Sequence, residues 1–435
     1  MNIRKEEAAL FGCAALLFFL IRSSGILLNN YAETAFLKRF GVEYLPYITA
    51  INAVVTFFAM GYLTERSRGV PGARVLSIFL VFSAAAVLLC RLAIPLGVPL
   101  IYPFLYVLKT QFEALLVFFF WNWANDAFDT RQSKRLFPLI TSGGLLGSVI
   151  SSALTPHVAR WLSADNLLFA YAALAACGAL AARQTGARFP SALTSEKKAR
   201  ARGPIGSMAA EFREVVPFLR SSKLAQVLLV LTLVPNIVIP IINYQFSFVV
   251  DQTYQTEGGM IGFYGYFRGV QFTISLLLSL VAARLYGRFG LPVALMFHPF
   301  NYGVAACAYL LRFDIFSAMY ATLSAGVLRS AINTPAVSVL YGLFPRAKRA
   351  VVRAFLRGTV VRVGILVGSG AVLLSQGWVH PRFLSVGVLA LAAVWLGAVA
   401  VLKRNYTGIL VDLIRNETLD VGAMEPDTAS EVFRG

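Results

Sequence analysis

The residues with the most chemistry to offer are charged and polar side chains set inside apolar runs. Arg22, Asn29 and Glu33 recur at i, i+7 and i+11. On a helix the second and third fall within about 20° of the first, so the three form one polar stripe. Lys109 and Glu113 stand at i, i+4, as do Arg329 and Asn333, and each pair shares a helix face. Asn236 and Asn243 share one run with Pro235 and Pro240, where the backbone ladder is expected to break and the helix to bend. Arg91, Arg268, Arg312 and Arg362 extend the set of embedded cations, against only Glu33 and Glu113 as embedded acids. An ionisable group at bilayer depth costs at least about 2.5–3.5 kcal/mol and normally faces a cavity. A cationic lining of this kind favours an anionic ligand. Arg91, Arg268 and Arg312 lie near helix ends and are expected to reach toward the interface. Lys109 and Glu113 have the alternative of neutralising each other.

The elements that must position these groups are apolar helices. Of the 435 residues, 58% are hydrophobic and 14% charged, and mean hydropathy is +0.69, which excludes a soluble globular protein. A bilayer span needs roughly 20 apolar residues, and only helices or closed barrels satisfy the backbone there. Apolar runs of helical length predict an all-α integral membrane protein of 12 transmembrane helices. Six are expected near 8–32, 43–63, 74–93, 100–125, 137–157 and 165–183. Six more are expected near 223–250, 259–284, 291–311, 314–341, 350–376 and 382–402. The N-terminal apolar stretch after Arg4 and Lys5 is too long for a signal peptide and reads as the first span.

Domain organisation follows: an N-terminal six-helix half (1–183), a basic cytoplasmic linker (184–222) with a short surface helix near 207–220, a C-terminal half (223–402) and a cytoplasmic tail (403–435). The tail is expected to form a short helix beneath the bundle or the stub of a longer extension. Most of the 39 Lys and Arg fall in the termini and in alternate loops. By the positive-inside rule both termini are cytoplasmic. The net charge of +18 is then a topology signal and requires no nucleic-acid partner. Corresponding loops repeat between the halves. Lys134-Arg135 leads into Gly143, Gly144 and Gly147, and Lys348-Arg349 into Gly358, Gly364, Gly368 and Gly370, glycines expected at close helix crossings.

Two parallel six-helix halves resemble the major facilitator transporters, and the loop Gly61…Glu65-Arg66…Arg74 is similar to a degenerate form of their loop motif, with Glu65 where an Asp is usual. That architecture implies a midplane site lined by helices 1, 4, 7 and 10 and exposed alternately to either side. A sharper resemblance covers about 30 residues. Phe120-Trp121, then Ala124-Asn125-Asp126, Lys134-Arg135 and Pro138 resemble the ATP/ADP translocases of plastids and intracellular bacteria. The resemblance implies exchange or ion-coupled symport of a nucleotide or another phosphorylated anion. Glu33 from the embedded charges, Glu65 and Arg66 from the loop motif, and Asn125, Asp126, Lys134 and Arg135 from the resembling segment are the expected gating or coupling groups, and the expected membrane is a bacterial inner membrane. The chain departs from that family where a helix-4 glutamate is expected twelve residues before Trp121, because Lys109 stands there.

Arg22, Asn29, Lys109, Glu113, Asn236, Asn243, Arg329 and Asn333 are therefore the expected substrate-binding groups, with membrane lipids and a coupling ion as further partners. Alternatives are a lipid or lysophospholipid transporter of the same fold, and a non-transporting scaffold or sensor that binds a partner through residues 184–222 or 403–435. Cys13, Cys90, Cys177 and Cys307 read as buried small hydrophobes, and His157, His298 and His380 are scattered, so no metal site is expected. No nucleophile elbow or Walker loop occurs. Neither enzymatic activity nor a cofactor is expected.

Overall fold

Backbone groups that cross a bilayer must satisfy one another within the segment, and the chain does so as long helices joined by short turns. A computed structural model describes residues 4–67, 69–189, 222–342 and 346–415, together with 215, 217, 219 and 344. The expected linker helix near 207–220 lies largely outside the described residues, as does the tail beyond Arg415.

The first six helices are α1 (Lys5–Arg39), α2 (Leu45–Arg66), α3 (Gly72–Ala93), α4 (Ile101–Ala127), α5 (Thr130–Leu162) and α6 (Leu167–Arg188). The second six begin with α7 (Lys223–Thr253), α8 (Glu257–Phe289) and α9 (Leu291–Leu311). In α10, Ile315–Leu328 continues through a π-helical turn, Arg329–Asn333, into Thr334–Gly342. In α11, Arg346–Phe355 continues through a second π turn, Leu356–Val360, into Val361–Ser375. The last helix, α12, is Leu384–Arg415, so the residues after 402 prolong the final span. Eleven helices among the described residues are long and apolar enough to cross a membrane. The protein is an all-α, multi-pass membrane protein of two six-helix pseudo-repeats.

Local signals set several boundaries. Asp129 and Gln132 form a reciprocal capping box at the start of α5, with Gln132 N–H donating to Asp129 Oδ1 at 2.7 Å and Asp129 N–H to Gln132 Oε1 at 3.0 Å. Asp314 caps α10 by accepting from Ser317 N–H at 3.0 Å. That backbone donor is the main reason its carboxyl stays below the usual range. Gly290 opens α9 at φ +75°, a conformation open to a residue without Cβ. α7 runs through Pro235 and Pro240 as one helix, so the expected break in its ladder does not divide the element.

By internal contacts the chain forms two units. Residues 1–44, 58–201 and 254–273 make the first, and residues 45–57, 202–253 and 274–435 the second. In the first, α1 packs against α4, α5 and α6, and α3 against α4 and α6. Its core includes Leu17, Tyr31, Leu76, Leu105, Phe120 and Tyr171. In the second, α7 packs against α10, α11 and α12, and α9 against α10 and α12.

Glycines make the closest crossings. A Cβ on Gly147 would stand 2.7 Å from the Phe19 carbonyl of α1, and one on Gly368 would overlap the Ile237 carbonyl of α7. Gly358 and Gly370 have open space around them, so only some of the expected packing glycines serve that purpose. The cysteines also divide. Cys90 is buried, Cys13 half-buried, and Cys177 and Cys307 exposed, correcting the expectation that all four are buried. An apolar run marks insertion into lipid, and a lipid-facing position is as apolar as an interior one.

Replacing Gly368 by Ala forces a backbone shift at the α7 crossing and is expected to cost about 1–3 kcal/mol, the range for overpacking. Thermal unfolding in detergent should show a lowered midpoint for G368A and an unchanged one for G370A.

Candidate functional site

The polar stripe of α1 meets the charged face of α4 inside the first unit. Lys109 Nζ donates to Asn29 Oδ1 at 2.7 Å and to Glu33 Oε2 at 3.4 Å. Asn29 Nδ2 donates to Glu113 Oε2 at 3.4 Å, and Arg22 pairs with Glu113 Oε1 at 3.5 Å. Lys109 and Glu113 thus do not neutralise each other along α4; each reaches across to α1. The reason is rotational. The i, i+7, i+11 stripe presents its three groups in a column that interleaves with the i, i+4 pair opposite.

Arg268 of α8 completes the set. Its guanidinium donates to the Glu33 carboxylate and to Asn30 Oδ1, both in short contacts. Asn30 in turn donates to Thr155 Oγ1 of α5 at 3.1 Å. Sequence position suggested that Arg268 reaches an interface, but its side chain is only 13% exposed and its charge is held by Glu33. Arg91 and Arg312 do lie at helix ends: Arg91 donates to Asn166 Oδ1, and Arg312 pairs with Asp314 at 2.6 Å. Aromatic rings back the central cations. Tyr106 lies 4.0 Å under Lys109, Tyr264 4.8 Å under Arg268 and Phe272 5.9 Å from Arg22. Sequence reasoning left Asn30, Arg268 and these rings out of the site, although Tyr106 with Lys109 and Tyr264 with Arg268 stand at i, i+3 and i, i+4.

Three cations therefore face two carboxylates, an excess of one positive charge. Beside them opens a cleft with about 340 Å³ of space between atoms, part of it open solvent, lined by Ile21, Arg22, Lys109, Phe112, Glu113 and Val117 among others. An anionic group entering the cleft meets Arg22 and Lys109 against apolar walls, where screening is weak. A second charged cluster lies where several helix ends of the unit meet. Arg39, at the end of α1, pairs with Glu257 at the start of α8 and with Asp165 in the α5–α6 turn at 2.9 Å, and donates to Tyr102 Oη at 3.0 Å. The Tyr31 hydroxyl donates to Asp165 at 2.6 Å.

The remaining candidates lie elsewhere. Asn236 is buried against Gly364 and donates to the Thr232 carbonyl at 2.7 Å, whereas Asn243 is exposed. Arg329 and Asn333 begin and end the π turn of α10, where Arg329 is exposed and Asn333 sits beside buried His298. Glu65 and Arg66 are exposed at the end of α2, and Asn125 and Asp126 at the end of α4. Arg135 pairs with Glu7, and the side chain of Lys134 lies outside the described part. Phe120 and Trp121 pack with Phe18 at 4.5 and 5.4 Å, and Trp121 with Phe137 at 5.0 Å, forming an aromatic joint of α1, α4 and α5. No group of three potential metal ligands occurs among the described residues.

Because Glu33 compensates two cations, E33Q leaves both without a carboxylate. Stranding a buried charge costs about 3–5 kcal/mol, so E33Q is expected to lower the thermal midpoint in detergent sharply. Adding R268Q restores the original charge excess and should recover part of that loss; equal midpoints for E33Q and wild type would refute the pairing.

No family model matches the chain, and no curated protein matches it in sequence. Solved structures do resemble it. A mutant form of the nucleoside transporter NupG aligns with TM-score 0.69 and 14% identity over 90% of this chain and 99% of its own. A bacterial homologue of the iron transporter ferroportin, inward-facing, gives 0.62 and 13% over 90% and 98%. The xylose transporter XylE from E. coli, inward open, gives 0.59 and 10% over 91% and 95%. At these identities the likeness speaks for the fold alone, and that fold is the one shared by major facilitator transporters.

Proposed function

We propose that this protein is an alternating-access secondary transporter that binds an anionic group of its solute at the Arg22–Lys109 face of the first unit. The observation that carries the reading is the excess cation of the Arg22, Lys109, Arg268, Glu33 and Glu113 set, in which Lys109, Arg268 and Glu33 are held among apolar helices and Arg22 and Glu113 open onto a cleft. Buried charge of this kind is costly and normally serves a ligand or ion path. Arg22 and Lys109 are the anion-binding groups, Glu33 the coupling or gating carboxylate, and Arg39 with Glu257 and Asp165 a gate at one end. Arg329 is the corresponding exposed cation of the second unit. The membrane is a bacterial inner membrane with both termini cytoplasmic, in line with the distribution of Lys and Arg.

The ATP/ADP translocase resemblance at Phe120–Lys134 supports a phosphorylated solute and exchange. Lys109, where those translocases place a glutamate, argues against strict ATP/ADP exchange, and its pairing with Glu33 leaves little free charge for a triphosphate. A lipid or lysophospholipid solute is the second reading, favoured by the apolar walls Ile21, Phe112 and Val117.

A ligand that binds only the native state raises the unfolding midpoint. Purified protein is screened against nucleotides, phosphorylated metabolites, carboxylates and lysophospholipids, and hits are tested for uptake into proteoliposomes. At least one anionic solute should stabilise the wild type, be accumulated, and lose at least tenfold in affinity in R22Q and K109Q. Binding that survives both substitutions would remove the site from the pathway.

A further inference from the structure

The two carboxylates of the first-unit cluster hold their cations unequally. Glu33 is in short contact with Arg268 and lies 3.4 Å from Lys109, and these three side chains are 9–14% exposed. Glu113 holds Arg22 at 3.5 Å, and the two are 44% and 20% exposed. Among the described residues, the other side chain that donates to Glu113 is Asn29, at 3.4 Å. One ion set is therefore tightly held yet carries the excess cation, with Lys109 on the wall of the cleft, and the neighbouring Arg22–Glu113 pair on the same wall is loosely engaged.

That asymmetry bears on what can enter. A ligand with only a negative group satisfies Arg22 by drawing it away from Glu113, which leaves that partly exposed carboxylate without its guanidinium and, among the described residues, with only the Asn29 amide beside it. A ligand with only a positive group strands Arg22 in the same way. A ligand with both signs exchanges the Arg22–Glu113 contact for two of its own and strands neither charge. The walls beside the pair, Ile21, Ile26, Phe112, Leu116 and Val117, are apolar and suit a hydrocarbon body.

We propose that the solute is a compact zwitterion with an apolar body, its anionic group on Arg22 and Lys109 and its ammonium group on Glu113. This rests on the reading of the cleft as the anion-binding site of a transporter and narrows it. Two sources supply the chemistry: an amino acid with an apolar side chain, or the zwitterionic headgroup of a lysophospholipid.

The test uses the full chain in detergent and calorimetric titration with two matched sets. The first is leucine, 4-methylpentanoate, which lacks the amine, and isoamylamine, which lacks the carboxylate. The second is lysophosphatidylethanolamine and lysophosphatidic acid. Each zwitterion is compared with its single-charge counterparts on wild type, E113Q and E113D. At least one zwitterion should bind the wild type tenfold or more tightly than its counterparts, and which set responds identifies the source. E113Q should remove that advantage by weakening the zwitterion and by binding the anionic counterpart more tightly than wild type, since no carboxylate is then stranded, and E113D, which keeps the charge, should retain part of the advantage. An E113Q protein that does not purify folded is replaced in this comparison by E113D, whose failure to shift the preference would count against the proposal. Anions that bind as tightly as the zwitterions overturn the zwitterion assignment and leave the anion-transport reading standing. No binding by either set or by phosphate esters overturns both.

Discussion

A carboxylate placed among apolar helices has no water to solvate it and must find its compensation in other side chains. Glu33 does so with Lys109 of α4 and Arg268 of α8, in an arrangement where each cation also leans on an asparagine of α1, Asn29 for Lys109 and Asn30 for Arg268. The amides matter as much as the charges. Asn29 accepts from Lys109 and donates to Glu113, so one side chain links the tightly held ion set to the loose pair beside it. Rings of Tyr106 and Tyr264 fill the space beneath the cations, supplying a polarisable, electron-rich face where a hydrocarbon would supply none.

This network demands that α1 be held at a fixed height and rotation, and the α1–α5 crossing provides that. Gly144 and Gly147 bring α5 against Phe18 and Phe19. At that separation Ser23 donates to the Gly147 carbonyl and Ser151 to the Ser23 carbonyl, at 3.1 and 2.7 Å. Two turns further along, Asn30 reaches Thr155 across the same crossing. Interhelical hydrogen bonds between small polar residues add to packing where apolar burial gives helices no preference for each other over lipid. The aromatic joint of Phe18, Phe120, Trp121 and Phe137 fixes the other end. Phe120 and Trp121 of the segment that resembles nucleotide translocases thus lie at a structural joint of the helices that carry the charges.

The second unit has a different character. α10 and α11 each pass through a π turn, at Arg329–Asn333 and Leu356–Val360, and one extra residue in a turn is a local strain that tends to persist where function requires it. Arg329 opens the first of these and is exposed, without an ion-pair partner among the described residues. Its sequence spacing to Asn333 suggested one helical face, but an α-helical wheel does not describe a π turn.

Hydropathy alone carried the membrane class, the twelve helices and most of their positions, since about 20 apolar residues between turn signals have few other stable forms in lipid. The stripe of Arg22, Asn29 and Glu33 was equally legible, being a property of one helix. What sequence could not supply was partnership. Lys109 stood beside Glu113 in the chain and pairs with Glu33 in space; Arg268 looked terminal and holds the central carboxylate; Cys177 and Cys307 looked buried and face outward. Each case turns on which helix lies opposite and at what rotation, and in a bilayer that is settled by small-residue crossings and buried polar contacts between segments far apart in the chain, because hydropathy is the same on a lipid-facing side and a protein-facing one.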